Sequence, residues 1–290
     1  MKEQEAELKA DRLSPHVFRI AVPTITLPPL DKTNTYVVHA GTDAIVVDCG
    51  SEDTATVAQV AKVIRSEGID NVIAYIATHY HLDHTRGIPL LQQHFPAPVY
   101  AHPLDHAGTA KEMNVPTADL RAPSGVMHLS DVNLRIMHRP GHTHGHLHVM
   151  IEPDNLLIVG DHMAGVGTVW IGPPDGHMND YYRALEDIAE SPANLALPGH
   201  GDPIESPQEA SRALLAHRLE REAGILQLLS EAPRTVDDIV TAIYGDRGLG
   251  PALWVATRTT QAHLTRLIEL GQVTRRAQAP KFQMVYSRRR

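Results

Sequence analysis

Thr78-His79-Tyr80-His81-Leu82-Asp83-His84 places three histidines and an aspartate directly after the apolar run at residues 72–77. A run of that length and composition reads as a short buried strand. Side chains alternate along an extended chain, so His79 and His81 project to one side where the strand ends. Asp83 and His84 come one turn later, near the start of a helix predicted over 85–95, and approach from another direction. Four ligand-type side chains held in this way can surround a pair of ions rather than one. A solvated polar turn needs no such set, and imidazole is the commonest metal ligand among side chains.

Three further pieces match in type and order. Pro140-Gly141-His142-Thr143-His144-Gly145-His146 follows a strand predicted at 132–137. Gly160-Asp161 ends a strand at 156–159, and Pro198-Gly199-His200-Gly201 ends one at 195–197. Each puts a ligand-type residue just past a strand beside glycine, where the chain can turn sharply. Alone each is weak. Together they set His79, His81, Asp83, His84, His142, Asp161 and His200 at strand ends, the rim where layered α/β folds build their sites. His144, His146 and His148 alternate in phase with His142, which predicts that all four face one side of a strand. Of these, His146 is expected to pack behind the ligands, and His144 to reach either substrate or solvent. Asp48, at the end of a strand over 44–48, reads either as a partner orienting a ligand or as a plain turn residue.

The sequence resembles the metallo-β-lactamase fold superfamily. The HxHxDH motif of that superfamily is matched by His79 to His84, and its later ligands by His142, Asp161 and His200, over roughly residues 17–203. The resemblance implies one site from His79, His81 and His142, a second from Asp83, His84 and His200, and Asp161 bridging both. It implies two Zn2+ ions, with iron or manganese as alternatives for a thiolate-free set. Water shared by two cations is acidified toward neutrality and yields hydroxide that attacks a carbonyl or phosphoryl centre, with Asp83 as the catalytic side chain that orients water or passes its proton.

The surrounding pattern agrees with that class. Strands are predicted at 17–22, 35–39, 44–48, 72–77 and 99–101, with a helix at 54–67; strands at 132–137, 147–151, 156–159 and 195–197 follow, with a helix at 180–190. The expected fold is α/β, a four-layer αββα sandwich over residues 1–204. After Pro203 the composition changes. Helices at 206–230, from a capping box at Thr235-Val236-Asp237-Asp238 through 244, and at 252–270 precede a hairpin at 273–276 and 282–286. Residues 205–290 therefore read as a helical, winged-helix-like module.

The 290 residues carry a net charge of -8, so no global field draws the chain to nucleic acid; 19 histidines against three Phe and two Trp is the one composition out of line. Cys49 is the only cysteine, which excludes an intrachain disulfide and a thiolate zinc site, and it reads as a small buried side chain. Neither a signal-type leader nor a bilayer-length apolar run is seen, so the expectation is a cytoplasmic protein with no membrane partner. In the last module Arg258, Gln261, His263, Thr265 and Arg266 sit on the third helix, and Arg275, Arg276, Lys281 and Arg288 to Arg290 surround the hairpin. They fit either RNA phosphates or a solvated face on a packing or homodimerising domain. Trp170, Asp175 and His177, in the Gly- and Pro-rich loop 165–177, are candidates to line a substrate pocket, while His102 and His106 read as structural or rim residues. With the module, the resemblance narrows to a β-lactamase-like group that includes endoribonucleases. It implies a dinuclear hydrolase of a small ester, thioester or lactone, or alternatively an RNA phosphodiesterase. An exported β-lactamase, a mononuclear iron dioxygenase and a non-enzymatic DNA-binding regulator each fit less of the pattern.

Overall fold

The two long strands β2 (Val17–Pro23) and β3 (Lys32–Ala40) follow the short β1 (Asp11–Arg12), and they show why this chain makes sheets. Phe18, Ile20 and Val22 point to one apolar cluster and Val17 to another, as do Val37 against Tyr36 and Val38. That alternation is the strand period, and burial on both faces marks an internal sheet. The computed structural model describes residues 7–165, 167–245, 250, 252–279 and 283–289. Lys281 and Arg290, named above, and positions 166 and 282, within the loop and hairpin expected above, lie outside the described residues.

β4 (Asp43–Val47) pairs antiparallel with β3; helix α1 (Thr54–Ser66) then crosses to β5 (Asn71–Ile76), which runs parallel to β4. The Asp53 carboxylate caps α1 by accepting from Thr56 N at 2.7 Å, and Val57, Val60, Ala61 and Ile64 form its buried stripe. Helices α2 (Leu82–Thr85) and α3 (Ile88–Gln92) follow, then β6 (Val99–Tyr100), α4 (His106–Met113) and β7 (Leu120–Arg121), completing a seven-stranded sheet in the order β1 to β7. A second sheet has the order β12-β11-β10-β9-β8, from β8 (Val126–Leu129), β9 (Val132–His138), β10 (Leu147–Glu152), β11 (Leu156–Gly160) and β12 (Leu195–Pro198). One face of the first sheet meets α1 and α3 in one core; its other face, through Tyr36, Ile45 and Ile76, meets Leu134, Val149 and Ile158 of the second sheet in another. These layers are those of the αββα class. The helix predicted over 85–95 is instead two short helices, because the chain turns at Gly87 and restarts with a proline in the first turn of α3, where a missing N–H costs nothing. The sequence pattern also missed β8 and α4.

The chain divides into two compact units. The first comprises Met1–Arg139, Gly145–Gly167 and Pro192–Pro207; the second comprises Pro140–His144, Thr168–Ser191 and Gln208–Arg290. The loop bearing His142 and the helix α5 (Met178–Glu190) thus group with the C-terminal helices α6 (Pro207–Glu231), α7 (Val236–Tyr244) and α8 (Ala252–Glu269). Within that second unit, Ile225, Leu229, Ile239, Leu264 and Leu267 pack with Val273 and Tyr286 of the hairpin β13 (Val273–Gln278) and β14 (Gln283–Arg288). The capping box is reciprocal: Asp238 N donates to Thr235 Oγ1 at 3.1 Å and Thr235 N to Asp238 Oδ2 at 2.9 Å. Among the described residues no helix is long and apolar enough to cross a membrane.

Candidate metal centre

Two parallel strand pairs, β4/β5 and β11/β12, deliver their C-terminal ends to one edge of the first unit, which is how Asp48, His79, Asp161 and His200 come together. The junction is stitched by main chain: Leu147 N donates to Thr78 O at 2.8 Å, Asn34 N to Gly199 O at 2.8 Å, and Gly199 N to Gly160 O at 2.9 Å. Two glycines are required by close approach. A Cβ on Gly199 would stand 2.5 Å from Asp161 Oδ1, and one on Gly160, whose φ is +49°, would stand 2.6 Å from His146 Nε2.

Asp48 organises the histidines. It lies in the left-handed region at φ +59°, which aspartate tolerates better than most residues, and is 2% exposed. Its Oδ1 accepts from Thr78 N at 2.8 Å; its Oδ2 accepts from Thr78 Oγ1 at 2.7 Å and from His84 Nδ1 at 2.8 Å. With its proton committed to Asp48, the Thr78 hydroxyl accepts from His79 Nδ1 at 3.0 Å. One buried carboxylate therefore orients two imidazoles and points Nε2 of each away from the network. His79 Nε2 lies 3.0 Å from His81 Nδ1. His84 Nε2 is buried without a hydrogen bond, 3.4 Å from Asp161 Oδ1. His200 is oriented in the same manner by a main-chain carbonyl, Nδ1 donating to Lys32 O at 2.8 Å, and its Nε2 is 3.5 Å from both Asp83 Oδ2 and Asp161 Oδ2. Asp83 sits in the first turn of α2, and its Oδ2 accepts from Thr26 Oγ1 at 2.6 Å.

Asp161 is held from behind. Its N–H donates to His146 Nε2 at 3.1 Å, and the neighbouring His162 shares a 2.6 Å hydrogen bond, Nδ1 to Nε2, with His148. His142 belongs to the second unit, where Nδ1 donates to Trp170 O at 2.8 Å, leaving Nε2 as its ligand-capable nitrogen. The expectation that His142, His144, His146 and His148 share one strand face is not met. β10 begins at Leu147, so only His148 lies in a strand, and Gly141 at φ +146° turns the chain before it.

The electrostatics are those of a cation site. Burial works against charge on His84, yet Asp161 and Asp48 raise its pKa well above the imidazole range. Burial likewise opposes charge on His200, but Asp161 and Asp83 push it up to about 10. Burial also disfavours the carboxylates of Asp83 and Asp161; His200 and the nearby His84 imidazole nonetheless hold both well below the usual range, helped at Asp83 by the Thr26 hydroxyl. Acidic and imidazole groups here demand positive charge among them, and a divalent ion supplies it in place of protons. His79, His84 and Asp161 offer ligand atoms all within 4.8 Å of one another, as do Asp83, His84 and His200. With the far nitrogen of each of His79, His84 and His200 tied to an oxygen, these residues fit a divalent metal.

Other sequence candidates take structural places. Cys49 is fully buried, and burial pushes its thiol up to about 12, consistent with packing rather than nucleophilic use. His102 stacks on His138 at 3.7 Å, and His106 Nε2 bonds to Ala101 O at 2.9 Å. His177 pairs with Asp180 at 2.7 Å and Glu269 at 3.2 Å, while the Trp170 ring lies 5.0 Å from Trp254. Asp175 is partly buried in the same loop. Sequence reading missed Thr26, Thr78, His162 and the carbonyls of Lys32 and Trp170. Thr78 heads the motif and was open to notice, but a carbonyl leaves no residue-type signal.

The metallo-beta-lactamase superfamily model matches residues 28–200. An atrochrysone carboxyl ACP thioesterase of Aspergillus novofumigatus is 29% identical over 251 residues, covering 82% of this chain and 73% of the relative. A beta-lactamase-like protein 2 homolog of Drosophila melanogaster is 27% identical, covering 90% of this chain and 91% of its own. In structure, a beta-lactamase domain protein from Burkholderia ambifaria superposes with a TM-score of 0.85 at 21% identity, over 99% of this chain and 96% of that one. A metallo-beta-lactamase family protein from Thermus thermophilus gives 0.77 at 23% identity, over 96% and 100%. At such identities these structures speak for the fold alone.

Proposed function

The chain belongs to the metallo-beta-lactamase superfamily, and from that premise we propose that it is a metal-dependent hydrolase acting on thioesters. The observation that carries the reading is the Asp48–Thr78–His79 and Asp48–His84 network, which presents Nε2 atoms beside Asp161 in a buried ligand set. Thioester is the substrate class because several relatives, among them those of A. novofumigatus and Pseudocercospora fijiensis, are named as ACP thioesterases. In this reading His79, His81, Asp83, His84, Asp161 and His200 would hold the divalent ions, with zinc as the expected metal. Bound divalent ions supply Lewis acidity and an acidified water.

The side chains divide the remaining work. Asp48 and the Lys32 carbonyl keep the rings from rotating, so no orientation has to be found during turnover. Asp83 stays ionised and fixed by Thr26, which makes it an acceptor that orients the attacking water rather than a proton donor. Burial of His79, His84 and His200 keeps competing solvent from the ligand atoms. The protein then acts within the cytoplasm on a small-molecule substrate, with no membrane partner.

A second reading, cleavage of RNA phosphodiesters by the same centre, draws on Arg275, Arg276, Arg288 and Arg289, all exposed on or beside the hairpin. The third helix contributes less than its sequence suggested: His263 is buried and Arg266 is engaged by Glu222 at 2.5 Å. A panel of acyl thioester, lactone, simple ester and short RNA substrates separates the readings. Turnover confined to thioesters supports the proposal, whereas RNA cleavage that falls in an Arg275→Ala/Arg276→Ala variant replaces it with the second.

A further inference from the structure

The second unit contains a cavity of about 230 Å3 that the hydrolytic reading does not use. His217, Arg218 and Arg221 line it from α6, Tyr244 from the end of α7, and Thr259 and His263 from α8, with small apolar side chains between. Positions 217 and 221 are one helical turn apart, which brings two basic side chains onto one face. Among the described residues no acidic side chain lines the cavity.

Two of these side chains are nearly fully buried yet incompletely satisfied. Arg218 is 5% exposed; its Nη2 donates to Val169 O at 2.7 Å, while its Nε makes no hydrogen bond. His263 is 1% exposed; its Nδ1 bonds to Glu222 Oε1 at 3.1 Å, while its Nε2 makes none. Among the described residues no carboxylate forms an ion pair with Arg218 or Arg221. Arg221 instead lies over the Tyr244 ring at 5.0 Å. Glu222 does not neutralise them, because Tyr182, His263 and Arg266 already engage both of its oxygens. A buried guanidinium without a counterion is costly, and so is a buried N–H without an acceptor. Both costs are met at once by an oxyanion in the cavity.

We propose that this cavity is a binding site for a phosphate group, either inorganic phosphate or the phosphate end of a small phosphomonoester. The choice of phosphate follows from the donors and acceptors. Arg218 Nε–H and the Arg221 guanidinium call for anionic oxygen, and the Thr259 hydroxyl can give or take a hydrogen bond. His263, with Nδ1–H turned to Glu222, presents a lone pair at Nε2 and is matched by a P–OH group, which a carboxylate or a sulfate does not carry. The volume is below the roughly 300–1,000 Å3 of pockets that enclose whole drug-sized ligands, so it suits a small anion or the anionic end of a longer molecule.

The test is isothermal titration of the full-length protein with inorganic phosphate in a chloride buffer of fixed ionic strength. Phosphomonoester, sulfate and acetate titrations run alongside. Saturable phosphate binding is expected, weaker by tenfold or more for sulfate and acetate. Arg221→Gln, which removes a partly exposed side chain, should weaken it at least tenfold, and Arg218→Gln should abolish it. If Arg218→Gln fails to fold, Arg221→Gln and Thr259→Val carry the comparison. Binding must persist in Asp161→Ala, which separates this cavity from the metal centre and from the thioester reading. Tighter binding of the monoester than of inorganic phosphate identifies a larger ligand; the reverse identifies the free ion. Absence of saturable phosphate binding, equal binding of acetate, an unchanged affinity in Arg221→Gln, or loss in Asp161→Ala overturns the proposal.

Discussion

Asp48→Asn isolates the role of one carboxylate without changing its shape. Asparagine tolerates the positive φ at this position, so the backbone should hold. The main-chain N–H of Thr78 can only donate, which keeps the amide oxygen at the site of Oδ1 and places the amide NH2 where Oδ2 stood. His84 Nδ1 then faces a donor at about the 2.8 Å it now keeps from an acceptor. The neutral ring answers by moving its proton to Nε2, the atom needed for a metal. Restoring the ligating tautomer forfeits a buried hydrogen bond, worth about 1–3 kcal/mol. That corresponds to a loss of roughly 10–100-fold in zinc affinity, the usual scale for removing a partner behind a ligand. Competition against a chromogenic chelator measures the affinity, and circular dichroism checks that the variant remains folded. A folded Asp48→Asn protein that binds zinc as tightly as wild type would refute the claim that Asp48 orients His84.

Two further predictions bear on the packing around the site. Gly160→Ala should lower the thermal midpoint and weaken metal binding, since a Cβ would meet His146 Nε2 at 2.6 Å at a backbone angle that disfavours it; a midpoint indistinguishable from wild type would count against the tight approach. Cys49 should resist alkylation in the folded protein at neutral and mildly alkaline pH and react only on unfolding. Its raised pKa keeps the thiol neutral there, so this contribution to stability is present below the unfolded thiol's pKa and fades as pH rises toward about 12; ready labelling of native protein under mildly alkaline conditions would contradict it.

Much of the fold was legible because its signals are local. The alternation at Phe18, Ile20 and Val22, the stripe Val57, Val60, Ala61 and Ile64, and the Thr235–Asp238 capping box each encode an element within a few residues. The grouping of the candidate ligands was legible for a related reason: strands that end in His79, Asp161 and His200 place them at one edge once the sheets are paired. What stayed hidden depends on tertiary proximity. Nothing near Lys32 announces that its carbonyl will orient His200, and nothing near Asp105 that its carboxylate will receive the N–H of Gly145 at 2.8 Å. His142 to His148 do not share a phase because the chain is not extended there: it turns at Gly141 and enters a strand only at Leu147. Arg266 read as a surface charge, yet a long side chain on a half-buried helix reached Glu222 instead.

The central claim is that the buried histidine and aspartate set works as a metal-dependent thioester hydrolase. The most direct measurement is metal content taken together with acyl-thioester turnover on one preparation, before chelation, after it, and after zinc is restored. The account predicts about two divalent ions per chain, turnover that disappears with them, and recovery in proportion to the zinc returned. Full thioester turnover by the metal-stripped protein would contradict it.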